Sequence, residues 1–433
     1  MLCNQVYFTL RLADFLKENV KYLACDCNKK TVMYVLSDDC RPPTASEPDS
    51  FLDYSPAQYR NEYLARKHLV LIYQESAIVL GMSTFEYAFL PIAGAEHLKR
   101  WSRAYVQYVD STGLFAPRQD QSHLTKSLVK AYFKYCHQIM NVSQIHFLAT
   151  AKPSFLFAGS DLIDGKRPLP GAKLVNWWLS VVDDFGKSLQ DKENQSQASD
   201  NEQLQVFVYS PTEEVHGSKR LGKLVEKLKG CRWVYGWPYE SKALCTDQIP
   251  MFEDDPKWKH FEATVLDDDE ILEQIERSEK KRPRIIIDDE EEESVPAKPV
   301  KLGKPRGIMS VRQFFEGLQI RPEFHGETSA FFVLKFQQRL RDAVADAPGA
   351  TRKADLASFG IKMLGGLTFE SEAAVRRSSQ QIMGWMKLMG VEGVELQAIA
   401  TDSRDGQAQA LDAATSEPVH SVQGLIKRKV LAK

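Results

Sequence analysis

The stretch HLVLIYQESAIVLGMSTFEYAFL, from His68 to Leu90, constrains the fold more than any other part of the chain. It is rich in β-branched and aromatic residues, which pack well on the surface of a sheet. Its pattern predicts two adjacent strands. The segments that follow decide which class of fold contains this sheet.

Strands and amphipathic helices alternate after this pair. RAYVQYVDSTGLF predicts a strand with Tyr105, Gln107 and Val109 on one face, which breaks at residues 110–113. The helix predicted after Pro117 has apolar residues at helical spacing, namely Leu124, Leu128, Tyr132 and Tyr135. QIHFLAT predicts a short buried strand, PGAKLVNWWLSVVDDF a further helix and LQVFVY a further strand. The pattern predicts an α/β fold with a central mixed β-sheet flanked by helices.

Charged segments divide the chain into four parts. Residues 190–203, QDKENQSQASDNEQ, have almost no apolar side chains and predict a disordered loop within a body that spans 1–266. Charge blocks of both signs and several prolines predict a disordered linker over 267–306. The segment 307–340 predicts a helix and a strand that return to the body. Residues 341–433 are predicted to form a variable region with a basic tail.

The composition excludes several classes of protein. The formal net charge of -2 offers no overall basic field for nucleic acid, so no direct DNA binding is expected. Seven cysteines at irregular positions do not suggest a disulfide framework and favour a reducing compartment. The absence of a signal peptide and of a long apolar span predicts a cytosolic or nuclear protein without membrane contact. The run KKRPR at 280–284 fits a nuclear import signal and equally a solvated charge run.

The stretch IPMFEDDPKWKHF places Asp254 and Asp255 after a short apolar run. An aspartate followed by Pro256 fits the start of a helix. A carboxylate pair beside an apolar run also fits acid–base chemistry. A third interpretation is half of a metal-dependent nuclease site, with Asp255 and Lys257 completed by Asp110. That half-motif normally lies within a strand, and Pro256 fits a strand interior badly. The surrounding charge is also acidic rather than basic, so both observations disfavour a nuclease.

Five segments, taken in order, resemble one known family. They are YVDSTG, PSFLFAGS, KLVNWWLSVVD, IPMFEDDPKWKHF and SVRQFFEGLQIRPEF, and the match covers most of residues 60–335, with gaps. They are similar to the fungal histone H3 lysine acetyltransferases of the "regulator of Ty transposition" family, whose fold is similar to the CBP-type acetyltransferase domain. The resemblance implies a CBP-type histone acetyltransferase-like fold with disordered charged insertions. The body over 1–266 is then the catalytic body.

The resemblance implies roles for individual residues of these segments. Asp255 matches the catalytic acid or base, and Asp254 matches the first acid of the pair. Lys257 matches a buried lysine that acetylates itself and thereby raises activity. Trp178 matches a tryptophan in the active site, and Asp110 matches an aspartate that lines the same pocket.

The resemblance also implies acetyl-CoA as the co-substrate and no metal. The backbone of Val109, Asp110 and Ser111 is expected to meet the acetyl-pantetheine arm. The free N–H groups at the start of the following helix suit the pyrophosphate, and the residues concerned are Arg118, Gln119, Asp120, Gln121 and Ser122. Further expected contacts are Thr150, Ser154, Arg167, Pro168, Leu169 and Trp177. Two positions depart from the family, because Lys152 replaces an arginine and Phe155 replaces a tyrosine.

The function implied by the resemblance is acetylation of histone H3 in the nucleus. The expected targets are the core-domain lysine near the DNA entry point and some tail lysines. The expected partners are histones H3–H4, a NAP-type histone chaperone and an anti-silencing-function-type histone chaperone. The expected processes are nucleosome assembly, transcription regulation, the DNA damage response and genome stability. Two alternatives are a catalytically inactive scaffold that binds histone chaperones and the metal-dependent nuclease.

Overall fold

The computed structural model describes residues 12–24, 30–38, 63–89, 101–114, 118–140, 142–152, 154–193, 204–212, 220–243, 310–317, 329–336 and 355–400. The strands in these residues are β1 (Tyr22–Ala24), β2 (Thr31–Ser37), β3 (Tyr63–Gln74), β4 (Ala77–Phe89), β5 (Trp101–Ser111), β6 (Gln144–Ala149), β7 (Gln205–Tyr209), β8 (Arg232–Tyr235), β9 (Ala330–Lys335), β10 (Val394–Glu395) and β11 (Ala398–Ala400). The helices are α1 (12–19), α2 (Arg118–Gln138), α3 (Gly171–Glu193), α4 (Arg220–Val225), α5 (Val311–Gly317), α6 (Leu356–Gly365) and α7 (Glu372–Leu388).

One mixed sheet organises the described residues, with the strand order β10–β2–β3–β4–β5–β6–β9–β7–β8. The pairs β5–β6 and β7–β8 are parallel and the other neighbours are antiparallel. Strands β1 and β11 form a separate parallel pair. The predicted fold class, a central mixed sheet flanked by helices, is confirmed. Within the described residues, no helix is both long and apolar enough to cross a membrane.

The two strands predicted from His68 to Leu90 are β3 and β4. They are joined by a two-residue turn at Glu75 and Ser76, whose positive φ angles of 49° and 70° match the twist of a tight hairpin. Along β3, Val70 and Ile72 face the core under α2 and α3, while Leu69 and Leu71 face the core under α6 and α7. Burial on both faces explains why this stretch is continuously hydrophobic rather than alternating.

Strand β5 differs from its prediction in one respect. Its register against β4 shifts beside Ser83, so Gln107 is an extra residue and forms a β-bulge. The bulge reverses the alternation of side chains, and Val109 therefore joins Val106 on the face toward α2 and α3. The predicted face of Tyr105, Gln107 and Val109 is wrong, because a period of two does not continue through a bulge.

Helices α2 and α3 cover one face of the sheet. The apolar positions predicted to face the core from α2 are fully buried, namely Leu124, Leu128, Tyr132 and Tyr135. Phe133 of α2 packs against Phe147 of β6 and Phe185 of α3, with ring centroids 5.9 and 5.5 Å apart. The helix α3 continues through Glu193, so the first residues of the loop predicted over 190–203 are helical.

The C-terminal residues contribute more to the fold than expected. The sequence predicts a variable region over 341–433 apart from the body, whereas residues 355–400 supply α6 and α7 to the second face and β10 to the edge of the main sheet. The Ile78 N–H of β4 donates to Ser379 Oγ of α7 over 2.8 Å. The buried face of α7 recurs at helical spacing, as Val375, Ser379, Ile382 and Met386, and this periodicity was a signal in the sequence.

Candidate functional site

A cleft of about 350 Å³ opens where β5 and β6 separate. The parallel register of the two strands ends at the pair Val106 and Phe147. The bulge at Gln107 is the next residue of β5 after Val106. Beyond Val106, β5 no longer pairs with β6 on the side where β6 lies. Its peptide groups on that side are therefore placed to bond an extended ligand.

Five parts of the chain line this cleft. They are the end of β5, the end of β6 with the loop that follows it to Phe155, the first two turns of α2, the loop 165–169 and the first two turns of α3, and Leu80 of β4 adds a single contact. Predicted positions that line the cleft are Val109, Asp110, Ser111, Gln121, Ser122, Thr150, Arg167, Pro168, Leu169, Trp177 and Trp178. Three of the five segments that resemble one family, YVDSTG, PSFLFAGS and KLVNWWLSVVD, therefore contribute residues to one concave surface.

Other predicted positions stand apart from the cleft lining. Ser154 is described but does not line the cleft, although its neighbour Phe155 does. The side chains of Arg118, Gln119 and Asp120 lie outside the described residues, although these three residues form the first turn of α2. Asp254, Asp255 and Lys257 also lie outside the described residues.

The cleft also contains residues that sequence reasoning missed, including Gln107, Thr125, Leu148, Lys166 and Leu174. For two of these the sequence held a signal. Thr125 follows Ser122 by three positions on α2, and Leu174 precedes Trp177 by three positions on α3, which places each on the face of its predicted neighbour. For Lys166 no local pattern was informative.

The tryptophan pair supplies an aromatic wall to the cleft. Trp178 is 6% exposed, and its ring centroid lies 4.3 Å from that of Phe147 and 5.0 Å from that of Trp177. Leu148, beside Phe147 at the end of β6, lines the cleft as well. These side chains make this part of the cleft apolar, which strengthens electrostatic interactions within it.

Asp110 at the end of β5 is almost fully engaged by hydrogen-bond donors. Its Oδ2 accepts from the N–H groups of Phe155 and Leu156 over 2.8 and 2.9 Å. Its Oδ1 accepts from the Ser111 N–H over 2.8 Å and from Lys166 Nζ over 2.7 Å. A carboxylate that accepts this many hydrogen bonds has few lone pairs left for a further ligand. The geometry indicates that Asp110 shapes the cleft wall, and a metal bound here, as in the nuclease, would have to displace Lys166.

The mouth of the cleft offers groups that suit an anion. Lys152 and Arg167 are exposed and line the cleft. The helix α2 begins at Arg118, and the first turn of any helix has N–H groups without intrahelical acceptors. Gln121 and Ser122 line the cleft from this end of α2. A phosphate group at this position is favoured by the free N–H groups and by the helix dipole.

Ala243 and Val311, which flank the segment 244–309, lie close to each other and to the cleft. The Val311 N–H donates to the Ala243 carbonyl oxygen over 2.9 Å, so residues 243 and 311 are held together. Phe315 of α5 packs against Phe331 of β9, with ring centroids 6.3 Å apart. Phe331 in turn is the strand partner of Leu148, which lines the cleft. The described residues that flank 244–309 therefore lie together, a few side chains from the cleft.

The described residues contain no group of three or more His, Cys, Asp or Glu side chains arranged to hold a metal ion. Cys136 is buried, and burial raises the pKa of its thiol well above the usual value. Cys231 is half-buried, and its thiol pKa is likewise raised by burial. Neither thiol lines the cleft, and both are poor nucleophiles because they stay protonated.

Comparison with known proteins gives three results. A sequence model of the histone acetyltransferase KAT11-type domain matches residues 116–383, which is more than half of the chain. The histone acetyltransferase RTT109 of Candida albicans (strain SC5314 / ATCC MYA-2876) is 26% identical over 113 residues, and this match spans 26% of each protein. The crystal structure of Rtt109 from Aspergillus fumigatus superposes with a TM-score of 0.57 at 20% identity, covering 90% of this chain and 99% of that one. The last result concerns the fold alone.

Proposed function

Because the chain belongs to the KAT11-type histone acetyltransferase family, we propose that it transfers acetyl groups from acetyl-CoA to lysine side chains of histone H3. The observation that carries this proposal is the cleft between the separated ends of β5 and β6. Its lining includes most of the described positions that the sequence resemblance implied for acetyl-CoA. A single large cleft with an apolar wall and a cationic mouth suits a ligand with both chemistries.

The cleft fits acetyl-CoA at both of its ends. The side of β5 over 107–111 that faces away from β4 can bond the amides of an extended pantetheine arm, as a strand bonds a peptide. The mouth, with the start of α2, Lys152 and Arg167, suits the pyrophosphate. When bound, acetyl-CoA supplies an acetyl thioester, and amide formation at a lysine nitrogen breaks its C–S bond and releases the CoA thiol.

The residues of this chain have to present a neutral lysine to that thioester. A free lysine has a pKa near 10.4, so reaching the neutral amine at pH 7 costs about 4.6 kcal/mol, from roughly 3.4 pKa units at about 1.36 kcal/mol each. The apolar wall made by Trp178 and Leu148 disfavours the ammonium form by excluding water. A carboxylate that accepts the proton lowers the remaining barrier.

We assign the proton acceptor to Asp255 on the strength of the resemblance. The neighbouring Asp254 repels a second negative charge and so favours protonation of Asp255. Lys257 has the opposite effect while it is charged, and acetylation of its amine would remove that effect. Asp255 follows Ala243 by twelve residues, and an extended chain of that length spans up to about 40 Å.

The finer parts of the function follow from the family resemblance. The proposed targets are the H3 core-domain lysine near the DNA entry point and some tail lysines, within H3–H4. The proposed partners are a NAP-type and an anti-silencing-function-type histone chaperone, and the proposed location is the nucleus. The proposed processes are nucleosome assembly, transcription regulation, the DNA damage response and genome stability. The acidic run at 267–270 is suited to a basic histone surface.

The test is acetyl transfer from labelled acetyl-CoA to H3–H4, with and without each chaperone. The native chain should label H3, and Asp255→Asn should lose most of that activity while it remains folded. Asp14→Asn is the control, because it removes one exposed carboxylate of α1 and should keep full activity. A native chain that labels no histone with any chaperone would contradict the proposed acetyltransferase activity. That result would favour the catalytically inactive scaffold that binds histone chaperones.

A further inference from the structure

We propose that Lys166 is a positioning residue for acetyl-CoA, because its buried ion pair with Asp110 holds three segments of the cleft wall together. The proposal rests on the proposed function for the identity of the ligand. Lys166 lies outside every position that the sequence resemblance implied. It directly precedes Arg167, Pro168 and Leu169, which line the cleft mouth.

The contacts of Lys166 are short and shielded from water. Its Nζ lies 2.7 Å from Asp110 Oδ1 and 2.6 Å from Ser160 Oγ. The side chains of Lys166 and Asp110 are 6% and 5% exposed. Charge-assisted hydrogen bonds of this kind fix geometry more strongly than neutral ones.

Asp110 connects this lysine to two other segments. It ends β5, and its Oδ2 accepts from the N–H groups of Phe155 and Leu156 in the loop after β6. One carboxylate therefore joins the end of β5, the loop at 155–157 and the loop at 165–169. All three segments contribute residues to the cleft lining.

The backbone around the ion pair is packed as closely as glycine allows. A Cβ at Gly165 would lie 2.1 Å from the Gly113 carbonyl oxygen. Gly113 has a φ of +85°, and a Cβ there would lie 2.6 Å from the Lys166 backbone nitrogen. The loop that carries Lys166 thus lies directly on the turn after β5, where a small displacement would change the shape of the cleft.

The position of this ion pair argues for a role in ligand binding rather than in stability alone. A buried ion pair is costly to desolvate, and apolar residues of similar volume often stabilise a fold as well or better. Among the described residues, a second ion pair with a buried aspartate joins Lys187 to Asp183 within α3, and Lys187 is 55% exposed. Lys187 does not line the cleft, so it provides a matched comparison.

The first experiment compares Lys166→Met with Lys187→Met. Acetyl-CoA binding is measured by calorimetry, and kcat and KM are measured separately. Hydrogen exchange is followed in peptides that cover 154–169. Lys166→Met should weaken acetyl-CoA binding about tenfold, the effect of losing one charged hydrogen bond. The change should fall on KM rather than kcat, with faster exchange at 155–157. Lys187→Met should leave all three readouts unchanged.

Ser160→Ala provides a second, milder variant. It removes one hydrogen bond to Lys166 Nζ and leaves both charges in place, so binding should weaken in the same direction by a smaller factor. The proposal is overturned if Lys166→Met and Ser160→Ala both bind acetyl-CoA like the native chain, or if Lys187→Met weakens binding equally. If the native chain binds no acetyl-CoA, the proposed function fails, and exchange at 155–157 still decides whether Lys166 holds the loop.

Discussion

Phe157 and Phe369 connect the cleft loop to the C-terminal helices, and their interaction can be measured directly. The Phe157 N–H donates to Asp110 Oδ2 over 3.3 Å, and Phe369 lies just before α7. Both side chains are fully buried, with ring centroids 5.1 Å apart at an interplanar angle of 62°. The backbone supports the same contact, since the Phe369 N–H donates to the Ala158 carbonyl oxygen over 2.8 Å.

A double-mutant cycle with Phe157→Leu and Phe369→Leu separates this contact from burial. Each single change should lower the free energy of unfolding by about 1–1.5 kcal/mol, because leucine fills most of the site. An edge-to-face aromatic pair contributes about 0.5–1.5 kcal/mol beyond burial. The double variant should therefore lose less than the two single losses combined, by about that amount. A fold stabilised by roughly 5–15 kcal/mol tolerates these losses.

Urea unfolding followed by tryptophan fluorescence is the assay. With a urea dependence of about 3 kcal/mol per molar, a loss of 1.5 kcal/mol shifts the midpoint by about 0.5 M. Leu388→Ala is the control, because Leu388 is 87% exposed at the end of α7 and the change should stay within about 0.5 kcal/mol. If the loss in the double variant equals the sum of the two single losses to within about 0.3 kcal/mol, the C-terminal helices and the cleft loop are not coupled through this pair.

Two further predictions concern a glycine and a carboxylate. Gly165→Ala forces a Cβ against the Gly113 carbonyl oxygen and should raise KM for acetyl-CoA about tenfold or more. Gly384→Ala is the control, because the space around Gly384 is open and KM should stay unchanged. Equal KM values for the two variants in steady-state kinetics would contradict this prediction. Burial opposes ionisation of Asp183, yet hydrogen bonds, first that from Lys187, outweigh it and lower its pKa below the ordinary 3.8. The stability that Asp183 contributes is therefore full above that pH and is lost as pH falls through the lowered pKa. The urea midpoint should fall less between pH 6 and pH 3 in Asp183→Asn than in the native chain. An equal fall would show that Asp183 does not contribute to the pH dependence of stability.

Local sequence patterns identified the elements that supply much of the cleft lining. The residues from His68 to Phe89 form the central hairpin, and the apolar residues from Leu124 to Tyr135 form the buried face of α2. These predictions succeeded because hydrophobic periodicity reports burial within one element. The same reasoning failed at Gln107, since a bulge depends on the register with a neighbouring strand.

The sequence by itself determined which elements form and which segments belong to one family. Only the tertiary structure decided that β9 lies between β6 and β7, that α6 and α7 complete the second core, and that Lys166 reaches Asp110. These features join residues that are distant in the chain. The stability they contribute comes from contacts between elements, which the hydrophobic period of a single element does not encode. The strength of a contact between Lys166 and Asp110 depends on their burial and geometry, which exist only once the sheet has assembled.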